Sequence, residues 1–143
     1  MTDVVSFSMA RNEAALAELS ESVNRTLEEH HIPIKETFAV QLAIDEFVSN
    51  IIKYGSGARS DSDIAIRLVF QDDGVSVEIE HEGEEFDPLE RANPVLDQSL
   101  EERQAGGLGI HLTRNTMDEC KYSYQDGRNL MVLQKKFKLD GSP

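Results

Sequence analysis

Glu46 and Asn50 stand four residues apart in LAIDEFVSNIIKYG. That spacing stacks two side chains on one face of a helix. A carboxylate in such a place can take a proton from an attacking hydroxyl. An Asn carbonyl oxygen is a neutral, hard ligand for Mg²⁺, an ion that keeps several waters and takes further ligands from substrate phosphates. Lys53, one turn on, can reach a phosphate. A solvated helix face carries the same residue types, so the pattern alone is weak. A second group is Gly106, Gly107 and Gly109, which lead into a helical run from Ile110. Glycines let backbone approach a ligand closely, and a helix N-terminus offers unpaired N–H groups to an anion. A flexible loop end reads the same way. The run is neither a dinucleotide fingerprint, since no strand directly precedes it, nor a P-loop, since no Gly-Lys-Ser/Thr follows. A third group is EHEGEEFDP at 80–88, where Gly83 allows a sharp exit from a strand, Phe86 can pack inward and Pro88 fixes a turn.

The balance of charge narrows the ligands. With 14 Lys+Arg against 27 Asp+Glu, the formal charge is −13. So acidic a surface repels nucleic acid and anionic lipid. An acidic chain that binds a nucleotide must therefore supply positive potential locally, from amides, a cation or a few basic residues. His30 and His31 are neighbours that point apart, His111 suits packing or surface, and Cys120 has no patterned zinc partners. A single cysteine fits a reducing cytoplasm, and the opening MTDVVSFSMA has no basic start or apolar core of a signal peptide. The expected location is cytoplasmic. The 143 residues suit a single domain, with no membrane-length apolar run.

The elements that must position these groups follow from periodicity. A short strand is expected at 4–8. A helix is expected over 12–31, with Leu16, Leu19, Val23 and Leu27 inward, Asn12 as cap and Pro33 as its stop. A second helix at 35–54 buries Val40, Ile44, Phe47, Val48 and Ile51, carries Leu42, Glu46, Asn50 and Lys53 on another face, and ends at Gly55, with Gly57 continuing the turn. Ile64, Ile66, Leu68 and Phe70, then Val75, Val77 and Ile79, alternate as a hairpin whose Asp-Gly favours a primed turn. The run 81–105 has little periodicity. GGLGIHLTRNTMDEC is expected as a glycine-led helix carrying Ile110, Leu112 and Met117, followed by the strands KYSYQ and NLMVLQKKF about an Asp-Gly-Arg turn. Adjacent hairpins predict an α+β two-layer sandwich, a mostly antiparallel mixed sheet with helices on one face.

Taken together and in this order, LAIDEFVSNIIKYG, EGEEFDP and GGLGIHLTRNTMDE resemble the N, G1 and G2 boxes of the GHKL-type ATPases, and most closely those of the bacterial anti-sigma factor serine kinases. The similarity spans about residues 4–138. It implies a Bergerat-type ATP-binding fold with ATP and Mg²⁺ as ligands. It further implies a serine kinase that binds a sigma factor and phosphorylates an anti-sigma factor antagonist, as a homodimer without direct contact to nucleic acid or membrane. In that pattern Glu46 is the general base and Asn50 the Mg²⁺ ligand. Lys53, His81, Gly83, Gly106, Gly107, Leu108, Gly109 and Asn129 fall at nucleotide-binding positions. Residues 89–105 are the ATP lid, where Arg91 or Arg103 can steady the transferring phosphoryl group.

The family's G1 box reads Asp-x-Gly, and here His81 takes the Asp position in His-Glu-Gly. A neutral imidazole can accept one hydrogen bond but is not equivalent to a carboxylate. Loss of a charge-assisted contact of about 1.5–3 kcal/mol weakens a nucleotide about tenfold or more. The alternative expectation is thus a non-catalytic regulatory module of the same fold. A more distant one is a kinase whose target lies outside transcription.

Overall fold

Burial with a period of two builds the sheet. The computed structural model describes residues 2–55, 62–92 and 108–137. In chain order they form β1 (Asp3–Met9), α1 (Glu13–Glu29), α2 (Ile34–Tyr54), β2 (Ile64–Gln71), β3 (Gly74–Glu82), a 3-10 turn (Pro88–Ala92), α3 (Leu108–Thr116), β4 (Glu119–Gln125) and β5 (Arg128–Lys136). The strands lie in the order β1-β2-β3-β5-β4, and every neighbouring pair is antiparallel. Ile64, Ile66, Leu68 and Phe70 of β2 are buried, as are Val75, Val77, Ile79 and His81 of β3 and Asn129, Met131 and Leu133 of β5. The intervening residues include the ion pairs Arg67–Glu78 and Arg128–Glu80. The fold is thus an α/β sandwich with a core on one face of the sheet.

The helices cover that face with their apolar stripes. Leu16, Leu19, Val23 and Leu27 of α1 are buried, together with Val40, Ala43, Ile44, Phe47, Val48 and Ile51 of α2. Each Val, Leu, Ile or Phe among them contributes about 1.5–3 kcal/mol when fully buried. Asn12 caps α1, its side-chain oxygen accepting from Ala15 N at 2.8 Å. Among the described residues no helix is long and apolar enough to cross a membrane.

Three local expectations fail for identifiable reasons. Pro33 does not stop α1. That helix ends at Glu29, His31 turns into the left-handed region at φ 57°, and Pro33 instead opens α2 by accepting from Thr37 N. The β2–β3 turn is centred on Asp72-Asp73, because Gln71 pairs with Gly74, and neither Asp has positive φ, so the turn is not a primed one. Gly74 is required by space: a Cβ there would stand 2.6 Å from the Lys135 carbonyl oxygen of β5. The primed geometry occurs in the other hairpin, at Asp126 (φ 54°) and Gly127 (φ 77°). Finally, α3 stops at Thr116, Cys120 lies in β4, Met117 is buried just past the helix, and Leu112 is exposed. Gly57 lies outside the described residues.

Candidate functional site

Asn50 is placed by α2 but is not on a solvated face. It is 3% exposed. Its amide Nδ2 donates to the Glu46 carbonyl oxygen, one turn back, at 2.7 Å, while Oδ1 is buried with no partner. An orphaned buried acceptor costs about 1–3 kcal/mol, so it marks a place where an external donor or cation would be favourable. Glu46 lies one turn away and is half-buried. Burial holds its carboxyl above the usual range, and neighbouring Asp45 adds to this, while Lys53 opposes it. A carboxylate so raised is a stronger base. Lys53 is exposed.

The end of β3 supplies the second wall. His81 continues the inward parity of Val75, Val77 and Ile79, and is 4% exposed. Its Nδ1 is buried without a partner. Burial first, and the Arg11 charge second, push its pKa down to about 4, against a smaller opposing contact with the Glu82 backbone. The ring is therefore neutral near pH 7. Gly83 leaves the strand at φ 147°, a conformation that a side chain would strain, and its N–H donates to the Gly127 carbonyl at 3.0 Å.

His81 and Asn129 line one small cavity with Phe47, Ile51, Phe86 and Tyr122. It holds about 10 Å³, the room of one water. Asn129, 1% exposed, is bonded there through both ends of its amide. Its Oδ1 accepts from Phe86 N at 2.9 Å and from the Tyr122 hydroxyl, and its Nδ2 donates to the Glu84 carbonyl at 3.1 Å. Phe86 packs against the core as expected. Asp87 Oδ1 accepts from Leu89 N at 2.9 Å and so opens the 3-10 turn.

The expected phosphate-binding side is described in part. Leu108 and Gly109 form the first turn of α3, whose leading N–H groups lack intrahelical partners as at any helix start. α3 packs on α2 and on the Pro88–Ala92 turn. Gly106 and Gly107, Arg103, and positions 93–105 of the expected lid lie outside the described residues. Among the described residues no cluster of three His, Cys, Asp or Glu could hold a metal. Asn50 Oδ1 nonetheless fits Mg²⁺, which needs few protein ligands when phosphates and water supply the rest.

Sequence reasoning missed Arg11 and Tyr122. The alternation in β4 puts Tyr122 on the parity of Cys120, and that signal was available. Arg11 bonds to backbone carbonyls 44 to 71 residues away, for which a sequence carries no local sign.

Comparison with known proteins extends this picture. The model of the histidine kinase-like ATPase domain matches residues 9–135. The serine/threonine-protein kinase BtrW of Bordetella bronchiseptica is 31% identical over 96 residues, covering 67% of this chain and 68% of that one. The serine-protein kinase RsbW of Listeria monocytogenes is 24% identical over 66% of this chain and 63% of its own. An anti-sigma F factor of Clostridium perfringens is 27% identical over 72% and 74%. Two solved structures share the fold. The RsbU and RsbW domains of Rv1364c from Mycobacterium tuberculosis superpose with TM-score 0.65 at 14% identity, over 94% of this chain but 32% of that one. The SiaB–SiaC complex of Pseudomonas aeruginosa gives 0.62 at 18% identity, over 93% and 89%.

Proposed function

The chain belongs to the histidine kinase-like ATPase domain family, among its anti-sigma factor kinases, and from that premise we propose that it is an ATP-dependent protein serine kinase. Its substrates are ATP and a serine on a small antagonist protein, and it also binds a sigma factor. The observation that carries the reading is the pair on α2: a buried Asn50 oxygen without a partner, one turn from a carboxylate whose proton affinity burial has raised.

In this reading Asn50 Oδ1 would hold Mg²⁺, which neutralises phosphate charge when bound. Glu46 accepts the serine hydroxyl proton as the serine oxygen bonds to the γ-phosphorus. The bond from that phosphorus to the β,γ-bridging oxygen breaks, and ADP leaves. Gly106, Gly107, Leu108 and Gly109 offer amides to the phosphates, Lys53 adds a cation, and His81, Gly83 and Asn129 border the base. Phosphate added to the serine changes that protein's affinity for its partner by charge. Incubation with Mg-ATP and a candidate antagonist tests the reading. The expected result is phosphoserine on the antagonist, with Glu46→Gln slowing transfer by about 10²–10⁴-fold. Absence of transfer, or transfer indifferent to Glu46→Gln, removes it.

A second reading is favoured by three features: a neutral His81, an Asn129 side chain whose oxygen already accepts twice and whose nitrogen already donates to Glu84, and a cavity of about 10 Å³. In it the domain regulates its partner by contact alone. Calorimetry with ATP and ADP separates the two, because the contact module gives no heat at millimolar nucleotide.

A further inference from the structure

Arg11 lies between β1 and α1, yet its guanidinium gathers three distant carbonyls. Nε donates to Ser62 O at 2.7 Å, one Nη to Gly55 O at 3.1 Å and the other to Glu82 O at 2.5 Å. Gly55 is the C-cap of α2, the helix that carries Glu46 and Asn50. Ser62 leads into β2. Glu82 is the last residue of β3, between His81 and Gly83. The Gly55 carbonyl sits at the negative end of the α2 dipole, where a cation is favourable. A guanidinium holds its donors in one rigid plane, so acceptors that share it are fixed relative to one another. A Lys ammonium is a rotatable point charge and cannot do this.

We propose that Arg11 is a positioning residue. It clamps the C-terminal end of α2 to the end of β3 and thereby sets where Glu46 and Asn50 stand relative to the His81–Gly83 wall. It touches no reacting atom. Its effect on phosphoryl transfer rests on the function proposed above, whereas the clamp itself does not.

The test compares Arg11→Lys and Arg11→Gln with Gly74→Ala, a destabilised control at the far end of β3, all verified as folded by circular dichroism. In both Arg11 variants amide exchange of Gly55 and Gly83 rises together by at least about tenfold, while amides in the middle of β2 and β3 keep wild-type rates. In the transfer assay Arg11→Gln lowers kcat by about 10–100-fold with KM within about threefold, Arg11→Lys falls between, and Gly74→Ala keeps wild-type kcat. Unchanged exchange at Gly55 and Gly83 overturns the proposal. So does a uniform rise like that of Gly74→Ala, or a kcat in Arg11→Gln no lower than in that control. If wild-type protein transfers no phosphoryl group, the kinase reading fails, and the exchange pattern alone decides the clamp. If Arg11→Gln does not fold, Arg11→Lys decides it.

Discussion

Two histidines at opposite ends of the sandwich are displaced in opposite directions. His30 closes α1 against β1. Its Nδ1 meets the Thr26 carbonyl at 2.9 Å and its Nε2 meets Asp3 Oδ2 at 2.7 Å. Both partners are acceptors, an arrangement that favours the protonated ring, which stacks on Phe70 at 3.7 Å between centroids. The Asp3 contact, ahead of opposing desolvation, raises its pKa. His81 has burial without a partner for Nδ1, and its pKa falls to about 4. The contrast teaches that desolvation alone does not fix a histidine's charge; the available acceptors do. It also separates a satisfied structural end from an end where polar groups are left open, with Asn50 and His81 both orphaned at the candidate site.

The largest expected effect comes from the site end. Between pH 6.5 and about 4 the unfolded chain binds a proton at His81 that the folded chain refuses. Stability therefore falls as pH drops through that window, and the shift from 6.5 to about 4 corresponds to about 3 kcal/mol. Urea unfolding at pH 7, 5 and 4 should show this loss in wild type and its removal in His81→Leu. Parallel curves for the two proteins would break the comparison.

Asn50→Ala comes next. It removes the unpartnered oxygen and one bond within its own helix, so stability changes by less than about 1 kcal/mol. Transfer falls on the order of 100-fold. Activity and unfolding measured on the same preparation sharpen the contrast, because a group kept for function costs little when deleted. A large loss of stability with activity retained would assign Asn50 to the structural end instead.

The smallest effect belongs to His30. Its folded pKa is raised, so its contribution is full below about pH 6.5 and fades as pH rises through the folded value. Because Asp3 is exposed, His30→Gln costs at most about 1 kcal/mol at pH 6 and close to nothing at pH 9. Thermal melts at the two pH values check this, and an equal cost at both would mean the ring is held by stacking alone.

Much of the frame was legible because alternation and helical spacing are local. Period two puts His81 in line with Val75, Val77 and Ile79, so its burial could be read directly from the strand. The stripe of α2 was equally plain. What stayed hidden depends on distant backbone. Gly74 looked like a turn glycine, yet it answers to the Lys135 carbonyl across the sheet. For Asn50 a solvated face stayed open beside the ligand reading, because a helix wheel does not show what packs above it. The three carbonyls on Arg11 come from segments that meet only after folding.

The knot at Asn129 has a kinetic consequence. One amide joins Tyr122, Phe86 and the Glu84 carbonyl around a space that fits a single water. In the proposed ATP-binding reading, a purine that fills this space first exchanges those bonds, so unlocking precedes filling. In stopped-flow mixing the observed rate would then climb with nucleotide concentration only to a plateau, and that plateau would be the frequency at which Phe86 lets go.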